Sequence, residues 1–414
     1  MTKKRITCLD ENTFKGLPNL KKTLCLKQNR LTSLHPNLFS SLNNLLGLDL
    51  SFNQISFIDT HEFDSLTSLQ SLWLSFNELT TFNSQLFSHQ SSLTKLYLDN
   101  NRLTFLGVTL FAKCTNLNVL SLGYNNLKYI ETSLFANLVS LKQLNLEHNH
   151  LESIASNAFA NLASLNKLNL DKNMLTSLSP FIFQSLNSLN ELRVSNNRLS
   201  ILDGSLFSSL LNLRVLWLNG NQLSSLSSNI FSSLFELRVL RLEDNLLTSL
   251  DSSALFSSLI NLNVLSLQRN KITSISSTDI FTQLTQLERL YLDDNQLTSI
   301  DENLFTGLSH LLELNLKGNN LTALSSTLFD KFPKLNSLFL NNNKLSSLDP
   351  SHFQTLKNLS VLYVNENRLK SFDSKLLLNL KNLDIFDISN NLLDASSINS
   401  LRLFKTQMKF KLYL

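Results

Sequence analysis

The sequence predicts a solenoid, a stack of similar coils in which each coil contributes one short strand to a parallel sheet. Three observations point there. An asparagine recurs at a fixed period along the 414 residues; leucine, about one residue in four, sits at fixed offsets from it; and fifteen of the 28 phenylalanines fill one further slot, from Phe14 to Phe353. Repeats of this length are the signature of solenoid architectures.

The asparagines are Asn29, Asn53, Asn77, Asn101, Asn125, Asn149, Asn173, Asn197, Asn221 and Asn245, 24 residues apart. Asn270 and Asn295 follow at 25, then Asn319, Asn343, Asn367 and Asn391 at 24 again, giving sixteen copies. Each copy has the form LxxLxLxxNxLxxLxxxxFxxLxx; a clean one places Leu141, Leu144, Leu146, Asn149, Leu151, Ile154, Phe159 and Leu162. Around Leu144 and Leu146 apolar and polar residues alternate with period two, the pattern of a strand with one buried face. The rest of the unit bends the chain back with its apolar residues inward.

One unit cannot fold alone. Its six to eight apolar side chains bring roughly 10–20 kcal/mol at ~1.5–3 kcal/mol each. Ordering 24 residues costs roughly 25–50 kcal/mol in backbone entropy. Stacking closes the gap, because neighbouring strands hydrogen-bond and each core covers the next. The asparagine has a specific task. Where the strand ends, backbone groups lose their sheet partners, and a short buried amide has the donor and acceptor to bridge to the turn of the next copy. Aspartate lacks the donor and leucine lacks both. The phenylalanine column is expected to stack as a spine on the opposite side of the core.

This pattern resembles the 24-residue typical class of leucine-rich repeat, as in Toll-like receptor ectodomains, Slit proteins, small leucine-rich proteoglycans and lamprey variable lymphocyte receptors. The resemblance covers about residues 5–401. It implies an α/β solenoid curved into a horseshoe, with a parallel sheet on the concave face and loops or short 3-10 or helical turns on the convex face. It also implies binding, mostly of proteins, without catalysis in the repeats. The cysteine caps of extracellular members are missing at both ends.

The ends depart from the period. Residues 1–20 read as a truncated first repeat, in which Ile6, Leu9 and Phe14 supply the second half of a unit. Leu20, Leu24 and Leu26 then carry a one-residue insertion. Residues 21–401 read as one continuous array of about 16 repeats, with Leu401 standing where the last phenylalanine belongs. Residues 402–414 read as a degenerate basic tail or an edge strand, with Met408, Phe410, Leu412 and Leu414 alternating with Lys409, Lys411 and Tyr413. Exposed core ends call for caps, so the chain is expected to be part of a longer protein or an incomplete gene product. The two 25-residue units place their extra residue before Phe256 and Phe281, in the outer loop, where a small convex bulge over 251–281 is expected with the sheet register intact.

Charge is segregated. The net charge is +4, but residues 1–30 carry +6 and residues 402–414 carry +4, leaving −6 in between. A basic stripe along a working surface, as nucleic acid requires, is missing, so nucleic-acid binding is not expected. No apolar run reaches membrane-span length, and the opening MTKKRITCLDENTF has no apolar segment of a signal peptide. Cys8, Cys25 and Cys114 form no disulfide framework and no zinc spacing. Cys114, in a leucine slot, reads as a small buried hydrophobe, and Cys25 as solvent-facing.

The residues six, four and two before each asparagine are expected to point out of the concave sheet, free of packing demands. The column four before contains both tryptophans, Trp73 and Trp217, with Tyr97, Arg193, Arg241, Tyr291, Phe339 and Tyr363. Exposed Trp, Tyr and Arg dominate protein–protein hot spots. Three patches emerge: Phe52, Trp73, Phe76 and Tyr97 with Tyr124 beside them; Trp217 with Val215, Val239, Arg193 and Arg241; and Tyr291, Phe339 and Tyr363, interrupted by Asn315.

Signatures of catalysis are missing: no GxSxG, HExxH, P-loop or dinucleotide fingerprint occurs. In Glu147-His148-Asn149-His150, a ladder position between the histidines puts them in a solvated turn. The acid pairs Glu243-Asp244 and Asp293-Asp294 read as solvated surface, too few in ligands for Ca²⁺. Sequons at Asn320 and Asn358 matter only in a secreted chain. The expectation is a module without cofactor, metal or enzymatic activity that binds a protein ligand, as a receptor ectodomain, adhesion or matrix component outside the cell or on its surface. A cytoplasmic scaffold, or a region regulating an attached enzyme, is the alternative.

Overall fold

The computed structural model describes residues 1–407 and 410–414. They pack as two compact units, residues 1–199 with 205–213, and residues 200–204 with 214–414. Both units are built from the same coil.

In the first unit eight three-residue strands, from Thr23–Cys25 to Glu191–Arg193, pair in parallel and in register, leucine opposite leucine. The middle leucine of each strand faces the core. A second, two-stranded parallel sheet joins Tyr129–Ile130 to Ser153–Ile154. The outer side of the coil is a run of tight turns: Leu110 donates to Gly107, Ala112 to Thr109, Cys114 to Phe111 and Leu117 to Cys114. Beneath them the phenylalanine spine is fully buried, with rings of successive coils 6.1–6.4 Å apart from Phe14 to Phe159. Cys114 is buried as its leucine slot requires, and burial pushes its thiol up to about 12. Cys25 is half-buried, its sulfur 3.7 Å from Asp49, so it is less exposed than expected.

The second unit continues the pattern with nine strands, from Val215–Trp217 to Lys411–Tyr413. The two longer coils keep the register, Arg241 opposite Ser266 and Ser266 opposite Tyr291. Their extra residues are taken up around an isolated bridge between Ser249 and Ser274, where Asp251 accepts from the Ser249 and Ser276 hydroxyls. Outer turns here include 3-10 segments at Pro350–Phe353 and Ser374–Leu377. The spine is locally altered where the Phe332 ring lies 5.5 Å from Phe305, tilted by 48°.

From Asn29 to Asn367 the asparagines are buried, and Asn391 is half-buried. Each reaches back to the preceding coil. Asn125 accepts from Leu103 N–H at 3.0 Å and donates to the Leu98 and Leu122 carbonyls, both at 3.0 Å. Asn149 repeats this with Leu127, Leu122 and Leu146, and Asn343 does so in the second unit with Leu321, Leu316 and Leu340. The residue just before each asparagine is left-handed, with φ between +51° and +67° from Gln28 to Asn390. That turn swings the chain from strand to core and strips the carbonyls that the amide then satisfies.

The termini use the same devices. Asn29 has no preceding strand; its amide instead accepts from Lys4 and Ile6 N–H and donates to Met1 O. At the other end an α-helix, Ala395–Gln407, crosses the boundary set at 401/402 from sequence. Asp394 caps it by accepting from Ser397 N–H, and Leu401 and Phe404 are buried. Lys411–Tyr413 is the last strand, pairing with Ile385–Asp387; Phe410 and Leu412 turn inward while Leu414 is exposed. Met408 and Lys409 of the expected alternation lie outside the described residues.

Asn125→Ala leaves the Leu103 N–H buried without a partner and takes one of two amide donors from each of the Leu98 and Leu122 carbonyls, which keep Asn101 and Asn149, so the expected loss is about 2–3 kcal/mol in urea unfolding of the full chain. A loss below about 1 kcal/mol would contradict the ladder's role.

Candidate binding face

The outward sheet face is where side chains escape packing, and its columns differ in depth. Residues four before the asparagine are mostly half-buried, as an interface residue should be. Those two before are mixed: Ser51, Ser75, Asp171, Ser195, Glu243 and Asp293 are buried, whereas Asp99, Glu147 and Gln268 are half-buried and Lys317 is exposed. The left-handed residue that follows folds the turn over the buried ones. This corrects the expectation that Glu243 and Asp293 are solvated. Glu243 Oε2 and Asp293 Oδ1 have no hydrogen-bond partner among the described residues. Burial raises both carboxyls, Asp293 to about 6, against the opposing pull of its own backbone N–H, Arg269 and Lys317. The exposed members of the two pairs remain at the rim, where Asp244 takes a two-pronged bond from Arg269 at 2.6 and 2.7 Å.

In the first unit the structure brings the first expected patch together as two stacked pairs. Trp73 and Tyr97, opposite each other on neighbouring strands, stack at 6.0 Å and 4°. Phe52 and Phe76 sit one residue before their asparagines, in the left-handed turn, and stack at 4.1 Å. Lys27 Nζ lies 5.0 Å over the Phe52 ring. Tyr124 is not part of that pair: it stacks on His148 at 4.4 Å, which gives His148 a packing role. Burial, then the charge of Asp99, pushes the Tyr97 phenol up.

Arg193 lies on the strand Glu191–Arg193, its guanidinium held by Glu191 at 2.6 Å while Lys167 reaches the same carboxylate at 3.1 Å. Between Tyr97 and Arg193 the face sinks into a depression of about 260 Å³ lined by Ser121, Gln143, Asn145, Lys167, Asn169 and Glu191 among others. Asn145 and Asn169 are fixed there by bonds to the Glu147 carboxylate at 3.3 and 3.0 Å. The sequence signal was present, since small polar residues fill this column for three coils, but a search for aromatics passes over it.

In the second unit Arg241 covers Trp217, its guanidinium 4.6 Å from the ring centre, and Arg241 Nε lies 3.7 Å from Glu243. Val215 pairs with Val239 beside them. Phe339 and Tyr363 stack at 5.4 Å, and Asn315 separates them from Tyr291. Burial, then Glu313, raises the Tyr291 phenol.

Stacked coils, a parallel sheet with an open face and a buried asparagine ladder define a leucine-rich repeat protein. The family's sequence profile matches in nine overlapping segments from residue 2 to residue 393, and the chain belongs to the leucine-rich repeat family. No curated protein matches the sequence. Among solved structures, a chain of the TLR13–ssRNA13 complex is 29% identical, with a TM-score of 0.83 over 98% of this chain and 59% of that one. The Leptospira interrogans protein LIC12759 is 28% identical, with a TM-score of 0.79 over 100% of this chain and 94% of that one. A chain of the glycosylated Toll–Spatzle complex of Drosophila is 25% identical, with a TM-score of 0.85 over 100% of this chain and 57% of that one. The chain thus spans less than two thirds of these two complexes' chains and nearly all of the Leptospira protein. The expectation against nucleic acid, drawn from charge placement, gains no support here, because the first of these structures is an RNA complex.

With two tryptophans in the chain, the cation cover is readable by fluorescence. In a Trp73→Phe background, Arg241→Ala is expected to red-shift Trp217 emission and increase acrylamide quenching; an unchanged spectrum contradicts the stacking.

Proposed function

We propose that this chain is a non-enzymatic module that binds a protein ligand across the outward sheet face, as part of a receptor ectodomain or of an adhesion or matrix component. The observation that carries this reading is the placement of both tryptophans and their stacked or cation-covered neighbours on that face, half-buried and outside the core: Trp73 with Tyr97, and Trp217 with Arg241. Rigid stacked aromatics lose little conformational freedom on binding and bury large area, the attributes of interface anchors. Phe52, Phe76, Tyr291, Phe339 and Tyr363 extend the anchors, and Arg193, held by Glu191, adds a polar contact at the edge of the depression. The Toll–Spatzle neighbour, a complex between proteins, favours this class. Extracellular or cell-surface placement follows the same neighbours. Three free cysteines favour the second reading, a cytoplasmic scaffold or a regulatory region of a larger protein.

Binding is tested by immobilising the chain beside its Trp73→Ala and Trp217→Ala variants and comparing retained proteins by quantitative mass spectrometry. A ligand that uses the face is retained by the parent and weakened about tenfold or more by at least one variant, whose melting curve is unchanged. Equal retention by all three overturns the assignment of the face.

A further inference from the structure

Away from the sheet face, the outer turns of two successive coils in the first unit gather an unusual set of titratable groups. The slot before the spine phenylalanine is Leu38 in one coil and Leu86 two coils on, both buried, and it remains aliphatic through Leu206. In the coil between, that slot holds Glu62, only 4% exposed, with neither carboxylate oxygen partnered among the described residues. Nearby Gln90 is fully buried and spends its amide N–H on Phe63 O at 2.7 Å, leaving its own oxygen unpartnered as well. On the same two outer turns lies a second cluster: His61 Nδ1 is 2.8 Å from Asp64 Oδ2, and His89 Nδ1, on the following coil, is 3.1 Å from Asp64 Oδ1. Each histidine forms an ion pair with Asp64 only when protonated.

We propose that residues 59–64 and 88–90 form a proton-operated clasp, in which acid closes Glu62 into the core as a neutral carboxylic acid and neutral to alkaline pH releases it.

The titratable groups on the adjoining outer turns are His35 on the preceding coil, Asp59, His61 and Asp64 on the same coil, and His89 on the following one. His35 is turned to Glu11, 3.9 Å away, and Asp59 adds a like charge that opposes ionisation of Glu62. Among the described residues no cation offsets that burial, and the carboxyl is raised from 4.5 to about 7, with burial the larger cause and Asp59 the smaller. The sign follows from linkage. A group whose folded value is raised contributes stability that is complete below about 4.5 and is lost as pH rises through about 7. The coil that loosens joins Phe52 to Trp73, so the clasp would tune the proposed binding face; that consequence rests on the functional reading, whereas the clasp itself does not.

The test therefore needs no ligand. Amide exchange of the full chain is followed by mass spectrometry in peptides spanning the clasp, corrected for the intrinsic pH dependence of exchange. Between about pH 5.5 and about pH 8 protection there is expected to fall roughly tenfold or more. Glu62→Leu, which restores the residue type of the neighbouring coils, is expected to remove most of that dependence and raise the melting temperature at the higher pH; Glu62→Gln, which cannot ionise, is the second variant. Protection that rises with pH, or a dependence retained in full by both variants, overturns the proposal.

Discussion

The structure depends on one constraint: at the end of each strand the backbone must turn inward without stranding its hydrogen-bonding groups. The turn is made by a residue in the left-handed region, which costs a non-glycine residue roughly 1–2 kcal/mol. Two positions, Gly220 and Gly318, relieve that cost, and elsewhere residues as large as Phe52 and Phe76 occupy it. The asparagine that follows holds the geometry, with one oxygen and two N–H groups serving two coils at once. Strand register, the phenylalanine spine and the open sheet face all follow from repeating that turn.

Much of this was legible because the period is rigid. Strand, ladder and spine slots each demand one residue type at one offset, so Leu144, Asn149 and Phe159 identify their places without a structure. The left-handed position carried a partial signal that was passed over: Asn, Asp or Gly fills half of it, diluted by Phe, Tyr, Lys and Arg in other coils. The depth of Glu243 and Asp293, two before the asparagine, was missed with it, since that turn covers them. The terminal helix had a signal that the repeat overshadowed. Asp394 three residues ahead of Ser397, then Ile398, Leu401 and Phe404, is a cap followed by apolar residues at helical spacing.

The candidate face was half legible. A column rule found the aromatics, and the stacking of Trp73 on Tyr97 and the cover of Arg241 over Trp217 show why they are held rigidly. What the column could not show is grouping. Arg193 meets Lys167 and Glu191 around a polar depression, because a carboxylate on the same strand helps decide where its guanidinium rests. Buried acids tell a parallel story: Glu62, Asp171, Glu243 and Asp293 interrupt the interior, and each is displaced upward chiefly by burial.

The most direct measurement of the central claim is residue-resolved amide exchange at the ladder itself. The N–H groups of Leu79, Leu103, Leu127 and Leu151, each donated to the asparagine of the following coil, should exchange only through large-scale unfolding and be among the slowest in their coils. If they exchange as fast as the outer-turn amides, the asparagines do not hold the coils together and the account fails.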